Sequence, residues 1–185
     1  MPEIFDGKPS AYVCLGSNLG DRAGNLLLAV RGMMNAGLNI ARLSSVYETE
    51  PVDVKTQPLF LNMVAELSGA TLPVPEQLLA RLLRIEYALG RRRDAHTKQG
   101  DARIIDLDLL LYGDAQSDTE FLQLPHPRLH LRRFALTPLA ELAPHLLHVK
   151  LNKTIGELLA ATMDNSAVMR WQRTKVGKRR SNEES

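Results

Sequence analysis

The chain of 185 residues contains a single cysteine, Cys14, which lies within an apolar run. One cysteine cannot form a disulfide within the chain, so a disulfide-stabilised scaffold is excluded. The first ten residues lack the apolar stretch of a signal peptide, and no apolar run approaches the length of a membrane span. We therefore expect a cytoplasmic protein with no membrane partner.

Two common phosphate-binding motifs are also missing from the sequence. The turn at residues 16–20, Gly-Ser-Asn-Leu-Gly, does not end in the Gly-Lys-Ser/Thr of a P-loop, and no Gly-x-Gly-x-x-Gly joins a strand to a helix. Aromatic residues make up only 5% of the chain, and its net charge is only +2. These values indicate no general attraction to nucleic acid, and any bound nucleotide must be held by other groups.

The remaining composition is that of one ordinary globular domain. Apolar residues make up 44% of the chain and charged residues 24%. We assign residues 1–171 to a single domain and expect residues 172–185, which are charged and poor in apolar side chains, to be disordered. Strands and helices alternate irregularly along the chain, which predicts an α+β fold with a largely antiparallel sheet.

Hydrophobic periodicity and turn residues predict the individual elements. Asp21 is a suitable N-cap for the first helix, in which Leu26, Leu27, Met33 and Met34 occupy apolar positions. The predicted strands cover residues 11–16, 40–47, 60–67 and 104–112, and the later predicted helices cover residues 73–89, 134–142 and 155–163.

Two aspartates interrupt the apolar run of residues 104–112. Alternate side chains of a strand share a face, so Asp106 and Asp108 point the same way, roughly 7 Å apart along the chain, while residues 105, 107 and 109 face the core. Two like charges in a mostly buried strand are costly unless a cation satisfies them. A bound metal ion would do so; the alternative is that both carboxylates form salt bridges with nearby arginines.

Basic residues surround this strand in the sequence. Arginines are frequent in the preceding loop, residues 91–103, and again in residues 128–133. Carboxylates for Mg²⁺ with arginines around them suit a polyphosphate ligand, because magnesium takes phosphate oxygens as ligands and guanidinium groups bind phosphate as planar forks. The alternative is a solvated basic loop at a helix C-terminus, which explains Arg91 and Arg92 better than Arg103.

Four further residues carry weaker signals. Phe60 and Phe134 are two of only four phenylalanines in the chain. Both suit a core position, and paired aromatics also enclose flat heterocycles. Asn62 follows Phe60 on the same strand face and has donor and acceptor groups to offer such a ring. His126, between two prolines, is by itself more typical of a surface or core position than of a ligand.

Together these residues resemble the 6-hydroxymethyl-7,8-dihydropterin pyrophosphokinase family of the folate pathway. The resemblance runs from about residue 11 to residue 144, and its signature is the Arg-x-x-Asp-x-Asp of residues 103–108. Its other segments occur in order at residues 12–18, 44–51, 57–62, 84–86, 124–128 and 132–139. The resemblance implies a ferredoxin-like α+β fold with helices packed on both faces of the sheet.

The resemblance also implies pyrophosphoryl transfer from ATP to the hydroxymethyl group of the pterin, with release of AMP. It assigns two Mg²⁺ ions to Asp106 and Asp108, and the pterin to Thr49, Glu50, Val52, Phe60, Asn62 and Phe134. It assigns the phosphates of ATP to Arg91, Arg93, Lys98, Arg103, His126 and Arg132, with Arg91, Arg93 and Arg103 as the candidate catalytic residues. We expect a monomer whose partners are these two small molecules, without nucleic acid.

Two other functions stay open. A metal-dependent nucleotidyltransferase also carries a Gly-Ser and an Asp-x-Asp strand, but places the two close together, whereas Gly16 and Ser17 lie far upstream of Asp106. A non-catalytic RNA-binding module would fit the arginine-rich loop. Such modules usually expose aromatic residues on their strands, and aspartates on a sheet repel phosphate unless a metal is bound.

Overall fold

A computed structural model of the protein describes residues 9–51, 56–91 and 102–172. The strands are β1 (Ser10–Ser17), β2 (Ile40–Leu43), β3 (Tyr47–Thr49), β4 (Phe60–Ser68), β5 (Asp106–Tyr112), β6 (Ser117–Asp118), β7 (Gln123–Leu124), β8 (Leu147–His148), β9 (Lys153–Thr154) and β10 (Val168–Arg170). The helices are α1 (Arg22–Asn35), α2 (Pro75–Ala88), α3 (Arg133–Leu142) and α4 (Ile155–Ala161), with a 3-10 turn at Leu129–Leu131.

The main sheet has the strand order β10-β3-β4-β1-β5, and β2 also pairs with β4. Every pair in this sheet is antiparallel. The succession β1-α1-β3-β4-α2-β5, with β1 between β4 and β5, is the βαββαβ arrangement of ferredoxin-like folds. The predicted α+β class and the mostly antiparallel sheet are therefore confirmed.

Helices cover both faces of the sheet, as the resemblance implied. On one face Val13 and Leu15 of β1 belong to a core cluster with residues of α1 and α2. On the other face Tyr12 and Cys14 belong to a second cluster with residues of α3 and α4. Because β1 is buried on both faces, its sequence is continuously apolar instead of alternating.

Several element boundaries differ from the prediction, two of them for visible reasons. The predicted strand 40–47 is divided into β2 and β3 because Ser44 pairs with Val64 through both its backbone and its side chain: the Ser44 N–H donates to the Val64 carbonyl at 2.9 Å, and the Ser44 hydroxyl accepts from the Val64 N–H at 2.9 Å. The predicted helix 73–89 begins only at Pro75, a position where the missing N–H of proline costs nothing.

The first helix confirms its predicted cap but not its predicted apolar face. The Asp21 carboxylate accepts a 3.0 Å hydrogen bond from the Gly24 N–H, and the helix ends at Asn35. Leu26 and Met33 are buried, whereas Leu27 and Met34 are exposed. Within the three described ranges, no helix combines the length and apolar character needed to cross a membrane.

Candidate active site

A cleft opens on the sheet face covered by α3 and α4, where β1, β3, β4 and β5 converge. Strand register brings the chemistry together, because Gly16 on the central strand lies opposite Asn62 of β4 and Asp106 of β5. The cleft contains about 590 Å³ of space, its open mouth included. Its lining residues are Cys14, Gly16, Thr49, Glu50, Pro51, Phe60, Asn62, Arg103, Asp106, Asp108, Arg132 and Phe134.

The two aspartates lie side by side, as the strand period predicted. Asp106 and Asp108 both line the cleft, while Ile105, Leu107 and Leu109 are buried in the core on the opposite face of the sheet. The strand begins at Asp106 and not at residue 104. Both carboxylates therefore stand at the first residues of a strand, where side chains from other elements can reach them.

Asp106 is held by two arginines. Its Oδ2 accepts a 2.5 Å ion-pair contact from Arg103, and its Oδ1 pairs with Arg91. Burial by itself would raise the pKa of Asp106, but the positive charges of Arg103 and Arg91 outweigh burial and lower that pKa below its usual value. Asp106 is consequently an anion with its charge already compensated.

Asp108 has weaker compensation. Its Oδ2 lies 3.4 Å from a guanidinium nitrogen of Arg132. Burial, and then the negative charge of Asp106, raise the pKa of Asp108 to about 6, and the arginines offset only part of that shift. Asp108 is therefore the carboxylate for which an additional cation would make the larger difference.

These contacts are the salt bridges that the alternative interpretation predicted, and the same carboxylates also suit magnesium. Among the residues that the structure describes, no group of three or more histidine, cysteine or acidic side chains could form an all-protein metal site. Magnesium does not require such a site, since it is commonly held by one or two carboxylates together with substrate phosphates and water. Two adjacent carboxylates in a cleft rimmed by arginines provide that donor set.

Glu86 is an important residue that the sequence reasoning did not assign. This α2 residue is 2% exposed, and its carboxylate accepts hydrogen bonds from Arg91 at 2.6 Å and from the Leu107 backbone N–H at 2.7 Å. Burial would lower the pKa of Arg91, but the charges of Asp106 and Glu86 raise it. The sequence did contain a signal for this role: Glu86 lies on the apolar side of α2, next to Ile85, where a carboxylate needs a buried partner.

Asn18 holds Arg103 in place, as Glu86 holds Arg91. The sequence analysis assigned no function to Asn18 either. The Asn18 N–H donates to the Arg103 carbonyl at 3.2 Å, and the Arg103 N–H donates to the Asn18 side-chain oxygen at 2.7 Å. Its amide group also donates to the Gln57 side chain at 3.1 Å. Asn18 thus joins the end of β1 to the segment that leads into β5.

The two predicted aromatic residues stand in the same cleft, each with an arginine near its ring. The guanidinium carbon of Arg103 lies 5.8 Å from the ring centre of Phe60, and that of Arg132 lies 5.5 Å from the ring centre of Phe134. Each of these arginines also pairs with one of the two aspartates. The aromatic and anionic parts of the cleft are therefore connected through shared arginines.

The floor of the cleft requires a glycine. A Cβ atom at Gly16 would lie 2.6 Å from Oδ1 of Asn62, too close for any other residue without displacing that side chain. The Asn62 amide group in turn donates to the Thr49 hydroxyl at 2.7 Å, and both side chains are buried. Asn62 is consequently fixed in one orientation at the base of the cleft.

A second cleft adjoins the first at Asp108, along β5, the strand at one end of the sheet. It contains about 1130 Å³ of space, its open mouth included, and His126 lies in its wall. Burial, followed by the charges of Arg132 and Arg128, lowers the pKa of His126 to about 4, so its imidazole is neutral at pH 7. The lining residues are Leu79, Leu83, Leu107, Asp108, Leu109, Glu120, Phe121, Leu122, Gln123, His126, Pro127 and Arg128.

Most of the predicted site residues meet in these two clefts. Nine line the first cleft: Thr49, Glu50, Phe60, Asn62, Arg103, Asp106, Asp108, Arg132 and Phe134. Arg91 reaches the first cleft through its pair with Asp106, and His126 belongs to the second. Val52, Arg93 and Lys98 lie outside the described residues. The role of each residue stays a prediction.

The sequence matches one protein family over most of its length. A model of the 7,8-dihydro-6-hydroxymethylpterin-pyrophosphokinase (HPPK) family matches residues 12–144. The chain is 37% identical over 163 residues to a 2-amino-4-hydroxy-6-hydroxymethyldihydropteridine pyrophosphokinase of Bacillus subtilis (strain 168), covering 88% of this chain and 90% of that protein. It is 40% identical over 161 residues to a protein of the same name from Methylorubrum extorquens, covering 86% and 97%.

Longer proteins contain the same unit. A mitochondrial folate synthesis bifunctional protein of Arabidopsis thaliana is 35% identical over 169 residues, which is 91% of this chain but 27% of that protein. The fold also resembles the wild-type HPPK-DHPS crystal structure of Plasmodium falciparum, with a TM-score of 0.61 and 16% identity over 83% of this chain and 44% of that one. At that identity the structural likeness supports the fold alone.

Proposed function

The chain belongs to the 7,8-dihydro-6-hydroxymethylpterin-pyrophosphokinase family, and we propose that it transfers the pyrophosphoryl group of ATP to 6-hydroxymethyl-7,8-dihydropterin in folate biosynthesis. AMP is the second product. The observation that carries the proposal is the position of Asp108, which lines both clefts and adjoins Asp106. Two molecules bound in adjoining clefts can react where the clefts adjoin, and the groups that compensate phosphate charge must be located at that place.

The first cleft binds the pterin in this proposal. Phe60 and Phe134 enclose the flat ring, since offset stacking adds roughly 0.5–1.5 kcal/mol beyond the burial of apolar area. Asn62, oriented by Thr49 and supported by the Gly16 floor, offers amide groups to the polar edge of the ring. Glu50 contributes to the adjoining wall.

The second cleft binds ATP. Its leucines and Phe121 provide an apolar surface for the base, and His126 and Arg128 provide polar groups for the phosphates. His126 lies beside the aspartates' strand, since its backbone N–H donates to the Leu110 carbonyl at 2.8 Å. Arg132 pairs with Asp108, where the two clefts adjoin, and Arg103 and Arg91 pair with the neighbouring Asp106. Guanidinium groups form paired hydrogen bonds with phosphate oxygens, so these three arginines are suited to hold the transferred group.

Asp106 and Asp108 are the residues that would hold magnesium, and we propose two ions. When bound, magnesium neutralises charge on the phosphate oxygens. The donor set supports this assignment, because both carboxylates face the cleft and the ion pair of Asp108 with Arg132 is long, at 3.4 Å. With the metal bound, the arginines would exchange part of their contact with the carboxylates for contact with phosphate.

The chemical step is an in-line displacement. The hydroxyl oxygen of the pterin forms a bond to the β-phosphorus of ATP, the bond from that phosphorus to the oxygen of the α-phosphate breaks, and AMP leaves. The proton of the hydroxyl passes to solvent. Reactions of this class depend on positioning and charge compensation more than on a strong base, so we assign no general base to the protein. We propose that residues 1–171 act as one domain, as a monomer in the cytoplasm.

Product analysis tests the proposal directly. The full-length protein is incubated with magnesium, ATP and 6-hydroxymethyl-7,8-dihydropterin, and the small molecules are separated. Equal amounts of AMP and pyrophosphorylated pterin are expected, and no pterin product should form when magnesium is chelated. ADP would indicate a simple kinase instead. Free pyrophosphate with a nucleotidylated pterin would indicate a nucleotidyltransferase.

A further inference from the structure

The segment formed by residues 164–170 follows the residues that the family model matches, which end at residue 144. We call this segment the C-terminal strap. It includes β10, which pairs with β3 in antiparallel register, with Val168 opposite Thr49. Its hydrogen bonds reach two walls of the first cleft, one at the end of β3 and one at the start of α3.

At the α3 wall the strap provides a helix cap. Oδ2 of Asp164 accepts a 2.8 Å hydrogen bond from the backbone N–H of Arg133, the first residue of α3. Oδ1 of Asp164 accepts from the N–H and the hydroxyl of Ser166 at 3.0 and 2.6 Å, which fixes the carboxylate. A carboxylate at a helix N-terminus satisfies a free N–H and interacts favourably with the helix dipole. Arg133 lies between Arg132 and Phe134, which both line the cleft.

At the β3 wall the strap holds Glu50 by two hydrogen bonds. The Glu50 N–H donates to the Ala167 carbonyl at 3.3 Å, and the Ala167 N–H donates to Oε2 of Glu50 at 3.2 Å. Glu50 and its neighbour Thr49 both line the cleft. The strap therefore connects the wall that contains Phe134 to the wall that contains Glu50 through only a few residues of backbone.

We propose that the strap is a positioning element that sets the spacing of the two walls of the pterin cleft, with Asp164 as its principal residue. This inference rests on the proposed function for the identity of the ligand. The strap's hydrogen bonds described above go to walls of the first cleft, whereas the second cleft is lined by residues between 79 and 128. Disturbing the strap should consequently weaken pterin binding more than ATP binding, on which a small effect is expected because Arg132, the phosphate-binding candidate, is next to the residue that the strap holds.

The test uses three variants of the full-length protein. Asp164→Ala removes the acceptor for the Arg133 N–H, Asp164→Asn retains an acceptor oxygen, and Met163→Ala changes a neighbouring side chain that is 89% exposed. Dissociation constants for the pterin and for a non-hydrolysable MgATP analogue are measured by titration calorimetry, together with melting temperature.

We expect Asp164→Ala to weaken pterin binding about fivefold to tenfold, the size of one lost hydrogen bond of ordinary strength. The dissociation constant for the ATP analogue should stay within about twofold, Asp164→Asn should recover most of the pterin affinity, and Met163→Ala should match the wild type. If Asp164→Ala does not fold, Ser166→Ala releases the same carboxylate more gently and should weaken pterin binding alone, by about twofold to threefold.

A merely structural strap would give a different pattern. Equal weakening of both ligands, or unchanged pterin affinity in Asp164→Ala, would overturn the positioning role while leaving the proposed function intact. A wild-type protein that binds ATP but not the pterin would overturn the proposed function, and this inference with it.

Discussion

The first cleft contains two half-sites made of the same residue types. We define the first half-site as Asp106, Arg103 and Phe60, and the second as Asp108, Arg132 and Phe134. In each, an arginine pairs with the aspartate and lies near the ring of the phenylalanine. They differ in their support. Arg103 approaches its aspartate at 2.5 Å, whereas Arg132 stays at 3.4 Å.

The first half-site has additional supporting contacts. Asn18 holds the backbone of Arg103, and Asp106 has a second ion pair with Arg91, which Glu86 supports. The side chain of Asp106 is 17% exposed and that of Asp108 is 32% exposed. The less exposed carboxylate nevertheless has the lowered pKa, and the more exposed one the raised pKa. Neighbouring charges, more than burial, therefore distinguish the two aspartates.

Removing either carboxylate should cause the largest loss of turnover, and the loss should be of similar size for both half-sites. We expect Asp106→Ala and Asp108→Ala each to lower turnover by at least ~10²-fold, the scale of a lost electrostatic stabiliser in the transition state. AMP formation under saturating substrates is the measurement. Near-normal turnover in either variant at saturating magnesium would contradict the proposed metal role of that residue.

Weakening the contact between Glu86 and Arg91, which supports the first half-site, should lower the stability of the folded protein. A matched change at an exposed glutamate of the same helix should not. Glu86→Gln removes the negative charge that faces Arg91, in a contact where the Glu86 side chain is 3% exposed and the Arg91 side chain is 14% exposed. We expect a loss of about 2 kcal/mol, because a hydrogen bond to a charged group is weakened and the pair is mostly buried. That loss corresponds to about 6 °C in melting temperature for a domain of this size.

The matched control for this change is Glu76→Gln, which alters an exposed residue on the same helix. Its melting temperature should stay within about 1 °C of the wild type, as for most surface substitutions. If the two variants melt together, the contact between Glu86 and Arg91 contributes nothing measurable, and the first half-site is no better supported than the second.

The aromatic residues allow a comparison on the substrate side. We expect Phe134→Ala to weaken pterin binding about tenfold, from the loss of a stacking surface, and to leave the affinity for an ATP analogue within about twofold. Phe60→Ala should have a similar effect if the ring is enclosed from both sides. Equal loss of pterin and ATP binding in Phe134→Ala would mean that this residue supports the core and not the ligand.

Local periodicity was sufficient to predict much of this site. The alternation of a strand placed Asp106 and Asp108 on one face, and placed Phe60 and Asn62 together on another strand. Helices on both faces of the sheet followed from the resemblance, and residues of β1 indeed pack against helices on each side.

What the sequence could not specify are contacts between distant segments. The pair of Asn18 and Arg103 spans 85 residues, and that of Glu50 and Ala167 spans 117. Such pairs depend on the strand register and helix docking of the finished fold, and no sequence period encodes them. The same holds for the division of the arginines between the two aspartates, which decides their different pKa values.

The smallest expected effect is the contribution of each aspartate to the pH dependence of stability. It separates the half-sites most clearly, because its sign is opposite for Asp108 and Asp106. The pKa of Asp108 is about 6, above its usual value of 3.8. The folded protein therefore binds this proton more tightly than the unfolded chain, so the resulting stabilisation is present below pH 4 and is lost as the pH rises through 6. Asp108→Asn cannot ionise and escapes this loss.

In metal-free buffer we expect Asp108→Asn to melt with the wild type near pH 4 and above it at pH 7. The gain should be about 1 kcal/mol, or about 3 °C, after allowance for screening of a partly exposed side chain. Asp106 has a lowered pKa, so its stabilisation is present above its usual pKa of 3.8 and is lost as the pH falls. Asp106→Asn should accordingly melt below the wild type at pH 7, with a difference that narrows in acid. Melting curves of the two variants that shift in the same direction at pH 7 would show that the half-sites do not differ in charge compensation.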